Sequence, residues 1–339
     1  MTNLLYIHVP FCLQRCGYCS FYSVAGADDG VLDSYVDALL AEMDLRGVDG
    51  GGCKTVYFGG GTPSLLGAGR VARLLARIAA PKSAEVTLEA NPETVTERLL
   101  VGLRDAGLNR LSLGVQSLVE EDLQYLCRVH DGGRARLAVE LAKRTFERVS
   151  VDLIYGLPGQ NLDGWLEQLE QVVALETEHL SAYELTYEPG TPLGNTVDGN
   201  PDRTDYFFAT HEQLSKLGLK GYEVSNFARS KGARSRHNLA TWDYRPYVGV
   251  GPGAHSFSGA GAEAMRRWNS ADLKRYLEAA KGRLVPHKSE SLTAEQQLLE
   301  RLMLGLRTTA GVTVDGKLIN SSFLNRLARC KDDGLVLQK

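Results

Sequence analysis

The stretch Tyr6-Ile-His-Val-Pro-Phe-Cys-Leu-Gln-Arg-Cys-Gly-Tyr-Cys-Ser-Phe21 decides how the rest of the chain is read. Its cysteines, Cys12, Cys16 and Cys19, are spaced C-x3-C-x2-C, and no fourth cysteine follows nearby. An ordinary 4Fe–4S cube takes four thiolates, one for each iron. Three thiolates on one tight loop leave one iron without a protein ligand, and an open position on a metal is where a small molecule binds. A zinc knuckle would need a second ligand pair further along, and Cys53, Cys127 and Cys330 each stand alone. A disulfide framework suits small secreted chains, and this one has 339 residues and no secretion signal at its start.

Composition bounds the rest. Hydrophobic residues make up 43% and charged residues 23%, as in ordinary globular chains. A net charge of −3 argues against a broad basic surface for nucleic acid. No run approaches the ~18 uninterrupted apolar residues of a spanning helix, which leaves only peripheral membrane association open. Isolated cysteines fit a reducing, cytoplasmic setting.

Outward from the cysteine loop, short apolar runs alternate with amphipathic segments. Strands are expected at Leu4–Val9, Thr55–Gly59, Glu85–Ala90, Arg110–Gly114, Val149–Ile154 and His179–Thr186, each β-branched or aromatic-rich and ending near Gly, Pro or Asn. Helices are expected between them at Leu32–Arg46, Arg70–Ile78, Thr96–Ala106, Arg134–Thr145 and Asp163–Leu175, with Thr96 and Asp163 as N-caps and Gly107 as a stop. This alternation predicts an α/β fold, a curved partial (β/α)6 barrel of parallel strands with right-handed crossovers. Ligands bind at the carboxyl ends of such strands. The residues with unusual chemistry fall there.

Past residue 200 the pattern changes, with a helix at Arg203–Leu217, a short strand at Tyr222–Phe227 and a Gly-rich stretch at Tyr247–Ser256. Helices at Thr293–Leu306 and Phe323–Cys330 then predict a small, mainly helical, winged-helix-like domain. The resulting division is 1–225 for the barrel, 226–290 for a connecting region and 291–339 for the C-terminal domain.

Several positions invite a chemical reading. Glycines 59 to 61 end the second strand before Thr62 and Pro63, where they permit positive φ and close approach of backbone to a ligand; alone they would also suit a tight turn. Glu89 stands at an apolar strand end, where a carboxylate needs partners. Gln116, Arg128 and Asp152 are polar where a cavity is expected, and a guanidinium such as Arg128 matches a carboxylate bidentately. Each of these alone would equally suit a structural hydrogen bond or ion pair. Gly249-Val-Gly-Pro-Gly253 lacks the helix that a dinucleotide loop requires. His237 and His255 are lone histidines, which are more often structural than ligating; imidazole is also among the axial ligands that a haem iron takes, so either could serve as one.

Taken in order, Tyr6-Ile-His-Val-Pro-Phe-Cys, Gly59-Gly-Gly-Thr-Pro, Glu89-Ala-Asn-Pro-Glu, Gly114-Val-Gln-Ser, Asp152-Leu-Ile-Tyr-Gly-Leu-Pro-Gly, Tyr222-Glu-Val-Ser-Asn-Phe and His237-Asn resemble the HemN/HemW branch of the radical-SAM proteins over residues 4 to about 310. The resemblance implies a radical-SAM partial barrel with a 4Fe–4S cluster on Cys12, Cys16 and Cys19. It implies S-adenosylmethionine (SAM) on the free iron, contacted by Tyr6, Tyr18, Gly60, Gly61, Thr62, Glu89, Gln116, Arg128 and Asp152. The glycine loop would hold the methionyl amino group, and Glu89 the ribose hydroxyls.

The branch holds an oxygen-independent coproporphyrinogen III oxidase and a haem chaperone that delivers haem to respiratory haem proteins. The chaperone side is expected here. Phe21 stands where the oxidase carries a further cysteine, and only 11 residues precede Cys12, where the oxidase has a longer segment. His237-Asn-Leu-Ala-Thr-Trp242 is similar to the chaperone's His-Asn-x-x-Tyr-Trp, with Thr241 in the tyrosine position. Haem is therefore the third expected cofactor, with His237 as its candidate ligand. The C-terminus stops soon after Gly334-Leu-Val-Leu, so an incomplete wing is expected. The alternatives are the oxidase itself and a radical-SAM methyltransferase acting on haem-like substrates. Replacing Cys12, Cys16 and Cys19 with Ala is expected to abolish the charge-transfer absorbance of a reconstituted cluster; an unchanged spectrum would sink the metal assignment.

Overall fold

A computed structural model describes residues 3–196, 199–259, 261–282, 284–313, 325, 326, 328 and 329. The first half runs β1 (Leu4–Val9), the short strands β2 (Phe11–Cys12) and β3 (Val24–Ala25) that bracket the cysteine loop, α1 (Asp29–Leu45), β4 (Thr55–Gly60), α2 (Gly67–Ile78), β5 (Glu85–Ala90), α3 (Glu97–Asp105) and β6 (Arg110–Gln116). It continues through α4 (Glu120–Tyr125), α5 (Gly132–Thr145), β7 (Val149–Tyr155), α6 (Leu162–Val173) and β8 (His179–Glu184). Then follow α7 (Thr204–Lys216), β9 (Lys220–Gly221), β10 (Asn226–Ala228), α8 (Arg236–Trp242), β11 (Val248–Val250), β12 (His255–Ser258), β13 (Met265–Asn269), α9 (Leu273–Lys281), β14 (His287–Ser291) and α10 (Ala294–Gly305).

One sheet organises the barrel, in the order β11-β1-β4-β5-β6-β7-β8-β10-β9. Strands β11 through β8 are parallel, and β10 and β9 join antiparallel at the far edge. Period-two alternation divides each strand between two environments. Leu5, Ile7, Val56, Phe58, Leu88, Leu111, Leu113, Val151 and Leu153 are buried in the apolar core beneath the helices. The other set, including Tyr6, Tyr57, Glu89, Ser112 and Asp152, gives the barrel a polar interior: Tyr57 bonds Glu89, and Ser112 bonds Asp152.

The six expected parallel strands are all present, β6 extended to Gln116 by an irregular register against β7. Thr96 caps α3 as expected, but α6 is capped by Asn161, whose side chain accepts from Gly164 N, and not by Asp163, which lies inside the helix. Of the strand expected over Tyr222–Phe227, Asn226 and Phe227 fall in β10, whereas Tyr222 to Ser225 form the turn between β9 and β10. The Gly-rich stretch contains β11 and β12. A Cβ on Gly249 would lie 1.9 Å from His255 O, so glycine here permits a close strand approach. Strands β10 and β11 complete the main sheet, so no break in the sheet coincides with residue 225. Strands β12-β13-β14 form a separate antiparallel sheet that the sequence reading did not anticipate. Half of the helix expected at Phe323–Cys330 and all of the apolar end after Gly334 lie outside the described residues.

The amino end of the barrel is plugged. Arg236 N and His237 N, at the start of α8, donate to buried Glu85 Oε1 at 2.8 and 3.1 Å. Buried Arg110 donates to Ala233 O, and His179 lies between Ser150 and the Tyr222 hydroxyl, 2.7 Å from each. Among the described residues no helix is long and apolar enough to cross a membrane.

The second sheet is anchored by Glu42 of α1, whose side chain is fully buried. Its carboxylate accepts from Gly251 N at 2.8 Å, Asn269 Nδ2 at 2.7 Å, the Tyr276 hydroxyl at 2.8 Å and Arg46 Nη1 at 3.2 Å. Replacing Glu42 with Ala leaves these donors and the Arg46 charge unmatched. The expected loss is about 3–5 kcal/mol in denaturant unfolding.

Candidate cofactor site

The carboxyl ends of the strands open into a cavity of about 410 Å3, within the usual range for small-molecule sites. Cys12, Cys16, Cys19, Tyr18, Gly60, Gly61, Thr62, Glu89, Gln116, Arg128 and Asp152 all line it. Residues more than a hundred positions apart converge because most lie near the carboxyl end of a barrel strand, with Asp152 inside β7 and Arg128 brought in by the segment after α4. A larger cleft of about 810 Å3 opens at the other end, between α8 and residues 305–313, but it contains none of these side chains.

Packing at the glycine triplet is too close for side chains. A Cβ on Gly61 would sit 2.6 Å from Phe11 O and 2.9 Å from Cys12 Sγ. Gly60 has φ +115°, and a Cβ there would run into the His8 ring at 2.7 Å. Backbone bonds from Gly61 N to Val9 O (2.7 Å) and from Thr62 N to Phe11 O (2.6 Å) lock this loop to the cysteine loop. Asn91 Nδ2 donates to Thr62 Oγ1 at 3.0 Å and ties in the loop after β5.

Arg128 reaches across from the far wall. Its Nη1 lies 3.2 Å from Cys16 Sγ, and its Nη2 donates to Gly114 O at 2.8 Å. Its buried Nε has no partner within the protein. An orphaned donor on a guanidinium that also contacts Cys16 fits an anionic ligand such as a carboxylate. Burial pushes the Cys12 and Cys19 thiols up, Cys12 partly offset by Thr62; an iron would take them as thiolates. Among the described residues no three His, Cys, Asp or Glu side chains gather tightly enough to hold one metal ion. A cluster separates its ligands onto different irons, so the donor set fits a cluster better than a mononuclear zinc site.

The carboxylates of the barrel interior are perturbed. Burial pushes Glu89 up to about 7, against hydrogen bonds from the Tyr57 hydroxyl (2.7 Å) and Gly60 N (3.3 Å). Asp152 is also raised by burial, partly offset by serine hydroxyls including Ser112 at 3.1 Å. Tyr6 lies just below the cavity, its hydroxyl 3.1 Å from His8 Nδ1 and its ring 6.2 Å from that of Tyr57. Tyr18 packs beside the apolar cluster of Leu126, Ile154, Leu157, Leu185 and Tyr187.

His237 is elsewhere. It sits in the amino-end plug, 5% exposed, with Nδ1 2.7 Å from Thr55 Oγ1 and its ring stacked on Tyr57 at 4.9 Å. Burial lowers its pKa to about 4. His255 lies on β12, stacked on Trp268 at 6.0 Å. The sequence reading missed two features: Tyr57, which bonds Glu89, and the wall formed by Tyr183 and Glu184 at the end of β8 with Leu185, Thr186 and Glu188 beyond it. Inward alternation along β4 points to Tyr57, and the strand-end rule that located the other loops points to the segment after β8.

Residues 6–172 match the model of the radical SAM superfamily. The chain is 39% identical over 326 residues to a protein named Heme chaperone HemW from Mycobacterium tuberculosis, covering 91% of this chain and 82% of that one. It is 41% identical over 264 residues to Heme chaperone HemW of Escherichia coli, covering 74% and 69%. Among solved structures, coproporphyrinogen III oxidase (HemN) of E. coli superposes with a TM-score of 0.82 at 23% identity, over all of this chain and 85% of that one.

The state of Glu89 gives a pH signature. Its folded pKa of about 7 exceeds the ordinary 4.5, so the folded state holds a proton that the unfolded chain releases. Its contribution to stability is therefore full below about 4.5 and is lost as pH rises through about 7. Unfolding of the ligand-free protein measured across that window is expected to show this decline. Glu89→Gln, which is neutral throughout, is expected to flatten it.

Proposed function

The chain belongs to the HemW-like family of radical-SAM proteins, and on that premise we propose that it is a cytoplasmic haem chaperone that binds a 4Fe–4S cluster, SAM and haem and passes haem to respiratory haem proteins. The observation that carries this reading is identity near 40% to proteins named Heme chaperone HemW, extending over nine-tenths of this chain in one case. Phe21 agrees with it. The residue lies on the cavity wall, 65% exposed, and offers no sulfur where the oxidase carries one.

The roles assigned to individual residues follow from the cavity. Cys12, Cys16 and Cys19 would hold the cluster. The free Nε of Arg128 would take the SAM carboxylate, and the glycine loop its amino group. Glu89 and Asp152 would accept from hydroxyls, Glu89 after giving up its proton. When bound, the cluster would supply a one-electron reducible centre, with SAM on the iron that no cysteine holds. The protein's part is to orient the nucleoside, exclude water from the thiols and set the charge at Arg128. At the other end, burial keeps His237 neutral, the form in which an imidazole ligates iron. Its Nδ1 is engaged by Thr55, which leaves Nε2 as the ligating nitrogen. With the ring 5% exposed, haem ligation there would require α8 to move out of the plug.

The deciding experiment uses anaerobically reconstituted protein with SAM, a reductant and either haem or coproporphyrinogen III. Stoichiometric haem binding with no decarboxylated product is the expected result. Protoporphyrinogen IX with 5′-deoxyadenosine would make the protein an oxidase, and methylated haem with S-adenosylhomocysteine a methyltransferase. His237→Ala is expected to weaken haem retention about tenfold or more, the scale of losing a metal ligand or its support. Retention equal to wild type would move the ligand elsewhere, with His255 and the cysteines as the next candidates.

A further inference from the structure

Gln116 lies in the cavity wall with φ +67°, in the left-handed region that non-glycine residues rarely occupy. The Ser117 amide donates to Val115 O at 2.9 Å, closing a γ-turn around it. The positive-φ form of this turn is the strained one. The turn coincides with the irregular register between β6 and β7, and it sends the Gln116 side chain toward Asn91 and Arg128 around Gly114. Strain of this kind persists only where the surroundings over-determine it.

His130 supplies the constraint. Its side chain is fully buried, with Nε2 3.0 Å from the same Val115 carbonyl and Nδ1 3.0 Å from Glu93 Oε2. A carbonyl oxygen only accepts, so Nε2 is the donor. Glu93 follows β5 and is held below the ordinary carboxylate range: burial raises it, but the hydrogen bond from His130 and the charge of Arg128 outweigh that. The ring therefore spans the loop after β5, which carries Asn91, and the strained turn at the end of β6, which carries Gln116. It also stands two residues from Arg128, which reaches Cys16.

We infer that the His130–Glu93 pair is a clamp that holds the Gln116 turn closed, making His130 a positioning residue that sets the affinity for SAM without touching it. This rests on the reading of the cavity as the SAM site. The Gln116 side chain is aimed only while Val115 O is pinned from both sides, by the Ser117 amide and by His130. Releasing one pin lets the turn relax to negative φ and withdraws the amide from the wall.

The test uses the cluster-loaded protein and the variants His130→Ala, His130→Gln, Gln116→Ala and the double variant His130→Ala/Gln116→Ala. SAM dissociation constants, cluster absorbance and exchange of the Ser117 amide are measured. His130→Ala is expected to weaken SAM binding about tenfold, the scale of coupled contacts. His130→Gln, keeping one donor for Val115 O, should fall between it and wild type. Cluster absorbance should stay unchanged, and the Ser117 amide should exchange faster. The double variant should be no weaker than Gln116→Ala alone, whereas a general structural role would make the two losses multiply and lower cluster content. SAM affinity within about twofold of wild type in His130→Gln and His130→Ala, or multiplying losses, would overturn the clamp. Should the wild-type protein fail to bind SAM, the cofactor reading fails separately. The clamp is then judged by Ser117 exchange, and protection unchanged in the two His130 variants overturns it.

Discussion

The open end of the barrel depends on the absence of Cβ atoms where β4 meets the cysteine loop. At Gly61 the backbone approaches Phe11 O and Cys12 Sγ more closely than any side chain would allow. The same approach lets Gly61 N and Thr62 N bond Val9 O and Phe11 O. The cysteine loop is held between short strands and this glycine floor, so its three thiols face the cavity that the other strand ends surround. Arg128 completes the arrangement from the opposite wall. It ties Cys16 to the Gly114 carbonyl and leaves one buried donor unused.

Both ends of the barrel have a polar lining, and each leaves some buried groups unmatched, Glu178 and Glu223 towards the amino end and Arg128 at the carboxyl end. At the amino end, Glu85, Arg110, His179 and His237 all find partners within the protein, many of them from the segment 222–242. At the carboxyl end, Glu89 and Asp152 are raised by burial and Arg128 Nε has no partner. A group with its bonds made inside the protein belongs to the architecture; a buried group without them is a place where a ligand completes the structure. Tyr57 connects the two ends, stacked under His237 and bonded to Glu89.

Much of this was legible in the sequence, because the relevant signals are local. Strand periodicity, glycine at strand ends and the cysteine spacing each span only a few residues, and eleven of the thirteen expected site residues line one cavity. Tyr6 lies just beneath it. His237 does not join it, because its neighbours Thr55 and Glu85 come from strand starts more than 150 positions earlier, and no local pattern records that packing. The second sheet was missed for a related reason: Met265-Arg-Arg-Trp-Asn269 alternates weakly, and its strand character comes from pairing with β12 and β14. The N-cap of α6 moved from Asp163 to Asn161 because several short polar side chains compete there, and the one that reaches Gly164 N decides.

The Glu42 hub has a consequence for recombination among relatives. One carboxylate on α1 is matched by donors near residues 251, 269 and 276, so the second sheet is specified partly by a helix that precedes it by some two hundred positions. A chimaera joined anywhere between α1 and β11 inherits the acceptor from one parent and the donors from another. Crossovers in that interval succeed only where both parents carry the same four-part match. A crossover after α9 keeps the acceptor and all of its donors from one parent.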